Sequence, residues 1–284
     1  WMLSTGALPA ILFFLLLLRA PETPRYLMSS GREQEAFDIL QRIAGHDSAH
    51  AELAAIRTSL LDRRNSWRSL LQDRARRAVA VSFFLAILVH VSGINTVIDY
   101  APAIFKSAGW GIDVALFSTF IVGLTNFAFT LLSFWMIDRF GRKPLYIVGS
   151  TGMAAALLVL VFVAATGQFR GAIVLVLILT YLAFFAACIG PVFWTLVPEI
   201  FPNRIRGTAM TVPVLTQWIT NAIVVLFFPL AFNQIGKSTT FAFLAVMSVV
   251  QALFAWSFVP ETKHKPLEQI EEFWVSGGAA GRVN

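Results

Sequence analysis

Seven mostly apolar tracts free of charged side chains dominate the chain, at 1–18, 78–98, 114–137, 145–169, 171–198, 208–236 and 238–260. A helix needs roughly 20 residues to cross a ~30 Å hydrocarbon core, and each tract reaches or approaches that length. Their apolar residues run round the whole helix rather than along one stripe, which leaves almost no polar face for water. The pattern predicts an all-α polytopic membrane protein with seven transmembrane helices. It argues against a water-soluble domain with a large buried core.

The segments between the tracts set the organisation. The first tract ends at Arg19, and Pro21 stops its helix. Residues 22–77 form the only long polar stretch, with ten basic and eight acidic residues. Within it, 33–44 and 49–61 carry apolar residues at helical spacing and predict short amphipathic helices, with a third near Trp67 to Gln72. The expected layout is a transmembrane helix at 1–20 and a linker at 21–77. A six-helix bundle at 78–260 and a tail at 261–284 complete it. The linker reads equally as a solvated connection or as a regulatory or gating element. Glycines and prolines interrupt the later tracts at Gly93, Pro102, Gly123, Gly190, Pro191, Pro213 and Pro229. Such breaks survive in a bilayer only where protein or a polar cavity satisfies the freed backbone groups. For Gly149 and Gly152, close helix packing is the expectation.

Composition agrees with this picture. Hydrophobic residues make up 57% of the chain, charged ones 13%, and the mean hydropathy is +0.71. The net charge of +6 suggests nucleic acid only until its distribution is examined. If the first tract ends in the cytoplasm, only Lys106, Arg170 and Lys237 of 22 basic residues fall outside, so the excess is a topological signal of the positive-inside kind. No nucleic-acid partner is expected, and the bilayer is. The single cysteine, Cys188, excludes an intramolecular disulfide. No nucleophile–base pair, metal-ligand cluster or phosphate loop appears, so neither an enzyme nor a cofactor is expected.

The tripeptide PET occurs at 21–23 and again at 260–262, just after the first and last tracts and six helices apart. Two related halves of six helices would produce that echo. Further strings carry a family resemblance. PETPRYL (21–27), GINTVIDYAP (93–102), DRFGRKP (138–144), GPVFW (190–194), PEIFPNRIRG (198–207) and VPETKHKPLEQI (259–270) resemble, in order, signatures of the sugar porter family of the major facilitator superfamily. The resemblance implies a secondary transporter for a sugar or polyol in the inner (plasma) membrane, working by alternating access, with proton symport the expected mode. It also implies that 1–20 corresponds to the sixth of twelve helices and that a preceding six-helix half is missing.

The resemblance extends to residues. Asn95, Asn126, Trp194, Gln217, Trp218 and Asn221 fall at sugar-contacting or cavity-lining positions. Carboxamides donate to and accept from hydroxyls, and an indole adds a flat apolar face with one donor. Helix–helix hydrogen bonding is the alternative for each Asn or Gln taken alone. A cytoplasmic gate is implied at Asp138, Arg139, Arg142, Glu199, Arg204 and Arg206, with Glu22, Arg25 and Glu261 from the PET segments. A plain positive-inside anchor is the alternative.

Departures from the family pattern are informative. Its helix-seven glutamine pair is replaced by Val89 and His90, and its paired tyrosines by Asp99 and Tyr100. An acidic position of some glucose carriers is Ala186. Glucose is therefore not assumed. His90 and Asp99 are intramembrane or membrane-edge titratable groups, which are functional candidates by default. His90 is expected to contact substrate. Asp99 shares a helix face with Asn95 and is expected to bind substrate, to take a proton, or to stand in water at the outer mouth. Rival functions are transport of a non-sugar solute, a non-transporting sugar sensor, and an inert fragment.

Overall fold

The computed structural model describes residues 7–61, 73–201 and 205–263. The chain divides into two compact units, Trp1–Asn65 and Ser66–Asn284, and the described residues contain helices and no strand.

The first unit holds α1 (Ala7–Leu17), α2 (Pro24–Ser29), α3 (Glu33–Ala44) and α4 (His46–Leu61). α1 is apolar, eleven residues long, and exposed along its whole described length. α2 starts where Thr23 caps the Tyr26 N–H and Pro24 fills the first turn. Leu27 packs with Ala36 and Leu40 of α3 and with Ala49 and Leu53 of α4, at the four-residue spacing that puts each pair on one face. Exposed Arg32 hydrogen-bonds Glu35 and holds that carboxyl below the usual carboxylate range. α3 spans the segment read as amphipathic, and α4 begins three residues earlier than expected. The expected helix near Trp67 to Gln72 lies outside the described residues.

Six helical spans in the second unit are long and apolar enough to cross a membrane: Ala75–Asp99, Ile112–Phe140, Arg142–Ala165, Gly171–Glu199, Arg206–Ile235 and Lys237–Phe258. Seven such spans were expected. The seventh corresponds to α1, which is shorter among the described residues. The described helices of this unit are α5 (Asp73–Val91), α6 (Ile94–Asp99), α7 (Ala101–Ser107), α8 (Ile112–Phe140), α9 (Arg142–Ala165), α10 (Gly171–Cys188), α11 (Gly190–Glu199), α12 (Arg206–Ala209), α13 (Thr211–Leu230) and α14 (Lys237–Phe258), with α7 lying between the first two spans. A π-helical turn, Ala231–Ile235, follows α13 just after Pro229.

The outside of this unit is greasy and its inside is packed. Phe117, Phe120, Phe127 and Phe134 of α8 are exposed, while Tyr146, Tyr181, Phe105, Phe201 and Phe241 are fully buried. Exposed aliphatic and aromatic faces of this extent are stable in lipid and not in water. α9 packs on α14 and α10, α10 on α8, and α13 on α5. A Cβ at Gly149 would lie 2.6 Å from that of Cys188, and one at Gly152 would strike the Phe184 ring. These two glycines therefore let α9 and α10 approach closely, the packing expected of small residues there.

Breaks are satisfied internally. Gly93 separates α5 from α6 with φ +89°, and a Cβ there would meet Leu244 Cδ1 at 2.7 Å. An L side chain is disfavoured at that φ, which accounts for glycine. The break leaves the Ser92 carbonyl without a helical partner, and the buried Tyr181 hydroxyl of α10 donates to it at 2.9 Å. A second break lies at Ile189, where Pro191 occupies the first turn of α11.

Candidate functional site

Two polar regions stand out in the bundle. The first lies where α6 meets α13. The Asn95 side-chain amide donates to Asn221 Oδ1 at 2.9 Å, and the Tyr100 hydroxyl donates to the Val225 carbonyl at 3.4 Å. The two rungs advance together along both chains, so the helices run parallel here. Pro213, Gln217, Asn221 and Phe228 follow one stripe of α13. Gln217 is 3% exposed, and the carboxamides four apart share one face of α13.

The other candidates are distributed differently. Trp218, about 100° round α13 from Gln217, lies off the packed stripe and is 61% exposed. Trp194 of α11 is half exposed and meets Phe193 edge to face. Asn126 is half-buried and continues the α8 stripe of Val122, Ser133 and Ile137. Among the described residues no hydrogen bond joins Asn126, Trp194 or Trp218 to the Asn95–Asn221 pair. His90 is buried, with Nδ1 at 3.3 Å from the Ala86 carbonyl of its own helix. Asp99 is exposed at the end of α6.

The second region is a charged knot at the α8–α9 turn. Arg142 forms a bidentate pair with Glu199, its Nε donating to Oε2 at 3.1 Å and Nη2 to Oε1 at 2.9 Å. Both side chains are largely shielded from solvent, which favours a two-point, charge-assisted contact over an ordinary surface pair. The Thr262 hydroxyl also donates to Glu199 Oε2, at 2.6 Å. Glu261 acts as a capping group for α9. Its carboxylate accepts the backbone N–H groups of Arg142 and Lys143, each at 3.1 Å. Free N–H groups and the positive end of the helix dipole both favour a carboxylate there. A Cβ on Gly141 (φ +89°) would stand 2.7 Å from Glu261 Oε2, so glycine leaves room for the cap. The Lys263 ammonium donates to the Arg139 carbonyl at 2.8 Å.

Of the expected gate, Arg142, Glu199 and Glu261 bring their side chains into this knot. Glu199 pairs with Arg142, whereas Arg206 donates to the Phe201 carbonyl at 3.3 Å and leaves a buried Nε unpartnered. The Arg139 guanidinium lies over the Trp135 ring, 4.9 Å from its centroid, and only its carbonyl joins the knot. Asp138 is exposed, as are Glu22 and Arg25 of the first unit. Arg204 lies outside the described residues. Sequence reasoning missed Thr262, Lys263 and the two backbone amides. The signal available was a carboxylate in a short segment beside a helix start.

The family described as "Sugar (and other) transporter" matches residues 1–274. The chain belongs to the sugar porter family of the major facilitator superfamily. It is 39% identical over 280 residues to the D-xylose-proton symporter of Escherichia coli (strain K12), covering 96% of this chain and 57% of that protein. It is 36% identical to the arabinose-proton symporter of Bacillus subtilis (strain 168), covering 97% and 60%. The glucose facilitated diffusion protein of Zymomonas mobilis is also 36% identical, at 97% and 59% coverage. This sugar porter chain thus spans somewhat over half the length of these relatives. Among solved structures, the proton:xylose symporter XylE bound to 6-bromo-6-deoxy-D-glucose superposes with a TM-score of 0.81 at 39% identity, covering 96% of this chain and 58% of that one. The inward-open xylose transporter XylE from E. coli gives 0.74 at 37% identity, covering 96% and 56%. The protein is a multi-pass membrane protein.

Proposed function

We propose that the full-length protein carries a neutral sugar or polyol across the inner (plasma) membrane by alternating access, coupled to protons, and that it is not an enzyme. The observation that carries this reading is the pairing of two features in one bundle. A carboxamide pair sits in the interior of apolar helices, and a charged knot ties α9, α11 and the PET segment at residues 260–262. The xylose and arabinose symporters among the relatives support sugar and proton as the cargo. The diffusion protein keeps uncoupled transport as the second outcome.

In this reading Asn95 and Asn221 contribute to a mid-depth site, joined by Gln217, Asn126, Trp194, Trp218 and His90 when the other six-helix half closes the cavity. Arg142, Glu199 and Glu261 hold the cytoplasmic ends together while the site faces outward. The knot must open for inward release, so its strength sets the balance between the two states. Arg139, Arg206, Glu22 and Arg25 complete the gate against the partner half.

The experiment is uptake of labelled xylose, arabinose, glucose and inositol by full-length protein in liposomes, with and without an imposed proton gradient. Gradient-driven accumulation of at least one solute is expected. Equilibration without accumulation would overturn the proton coupling, and no uptake of any of them would overturn the transport reading.

A further inference from the structure

The open side of the broken helix carries charge. Along 94–107, Ile94, Val97, Ala101 and Ile104 are buried. Asn95, Asp99, Ala103 and Lys106 follow the opposite stripe at four- and three-residue steps and are half-buried or exposed. Asn95 uses one N–H on Asn221. A carboxamide offers two donors and an acceptor oxygen. Among the described residues Asn95 therefore keeps its oxygen and second N–H, and Asn221 keeps its amide group. Asp99 follows Asn95 on the same stripe, one helical turn or about 6 Å of helix rise further along. Among the described residues no cation pairs with it.

An ionised carboxylate only accepts hydrogen bonds, and its bonds from hydroxyls are charge-assisted and strong. A second carboxylate brought within a few ångströms of it is repelled, while a neutral hydroxyl is not. We infer that Asp99 is a specificity-determining charge filter, which accepts hydroxyls of neutral polyhydroxy solutes beside the Asn95–Asn221 pair and rejects sugar acids. The inference rests on the transport reading above and goes beyond it by excluding uronates and aldonates from the substrate class. Discrimination here comes from a repulsive element as much as from attraction.

The test compares full-length wild type with Asp99→Asn and Asp99→Glu in liposomes. It measures how well galacturonate and galactose inhibit uptake of the labelled solute that the wild type carries. Wild type and Asp99→Glu should be inhibited at least about tenfold more weakly by galacturonate, the size expected of a like-charge clash. Asp99→Asn should close most of that gap while still carrying the neutral solute. A second uncharged variant, Asp99→Ser, should behave likewise if Asp99→Asn is poorly folded. Neutral uptake with an unchanged galacturonate gap in both uncharged variants overturns the filter alone. Equal inhibition of wild type by galactose and galacturonate does the same. A wild type that carries no neutral solute overturns the filter together with the transport reading, before any variant is compared.

Discussion

At the α8–α9 turn, Arg142, Glu199, Glu261 and Thr262 direct their hydrogen-bonding groups at one another and at a helix start. Where α6 meets α13, Asn95 and Asn221 share a single bond and, among the described residues, keep their remaining donors and acceptors free. The difference separates two tasks. A network whose members are mutually satisfied stabilises one arrangement and is costly to break one partner at a time. A sparse pair with spare capacity contributes little to that arrangement and is suited to exchanging partners with a hydroxylated solute. Function in the proposed carrier needs both, a latch that holds and a site that lets go.

The largest expected effect comes from removing the cation of the latch. Arg142→Ala leaves Glu199 shielded and without its bidentate partner. It should reduce uptake by the full-length protein by at least about tenfold, the loss expected when one member of a buried, hydrogen-bonded charge pair is deleted. Arg142→Lys should retain part of the activity, because an ammonium supplies charge without the planar fork. Uptake in liposomes checks both, and full activity in Arg142→Ala would remove the knot from the mechanism.

An intermediate effect is expected at the cap. Gly141→Ala forces an L residue into a positive-φ, extended-ψ backbone that glycine alone adopts freely, at a cost of about 1–3 kcal/mol, and its Cβ displaces the Glu261 carboxylate as well. Glu261→Gln keeps the shape but loses the charge and one of the two acceptor oxygens, a difference of about 1–2 kcal/mol. Thermal unfolding in detergent should therefore rank wild type above Glu261→Gln and Glu261→Gln above Gly141→Ala. Equal melting temperatures would show that the carboxylate does not hold the α9 start.

The smallest stability change belongs to the sparse pair. Asn95→Ala should lower stability by less than about 1 kcal/mol, in line with interhelical polar contacts in membranes, yet weaken solute affinity measurably. Melting curves and binding isotherms on the same preparation test the contrast directly. If Asn95→Ala unfolds the protein as readily as Arg142→Ala, the pair is a structural tie between α6 and α13 rather than a site.

Much of the fold was legible because membrane solvation imposes a coarse rule. Charge-free length predicts a span, and basic residues mark its ends. The tract at 145–169 and the helix Arg142–Ala165 differ by a few residues, since helix starts are set by capping and not by hydropathy. The break at Gly93 was readable, because glycine among apolar residues marks a position other side chains resist. The role of Tyr181 was not, because the carbonyl it satisfies lies 89 positions away in sequence. Site residues showed the same division. Gln217 and Asn221 share a face by helical arithmetic alone, but no periodicity could distinguish the packed face of α13 from the open one that carries Trp218.

Taken alone, the residue order determined the solvent, the number of long apolar spans in the second unit, and the family, since these depend on composition and local motifs. Which arginine meets Glu199, where Glu261 places its oxygens, and which stripe of the broken helix stays open were decided only in three dimensions. Those outcomes depend on distances between segments far apart in the chain, and a charged side chain carries no mark of its eventual partner.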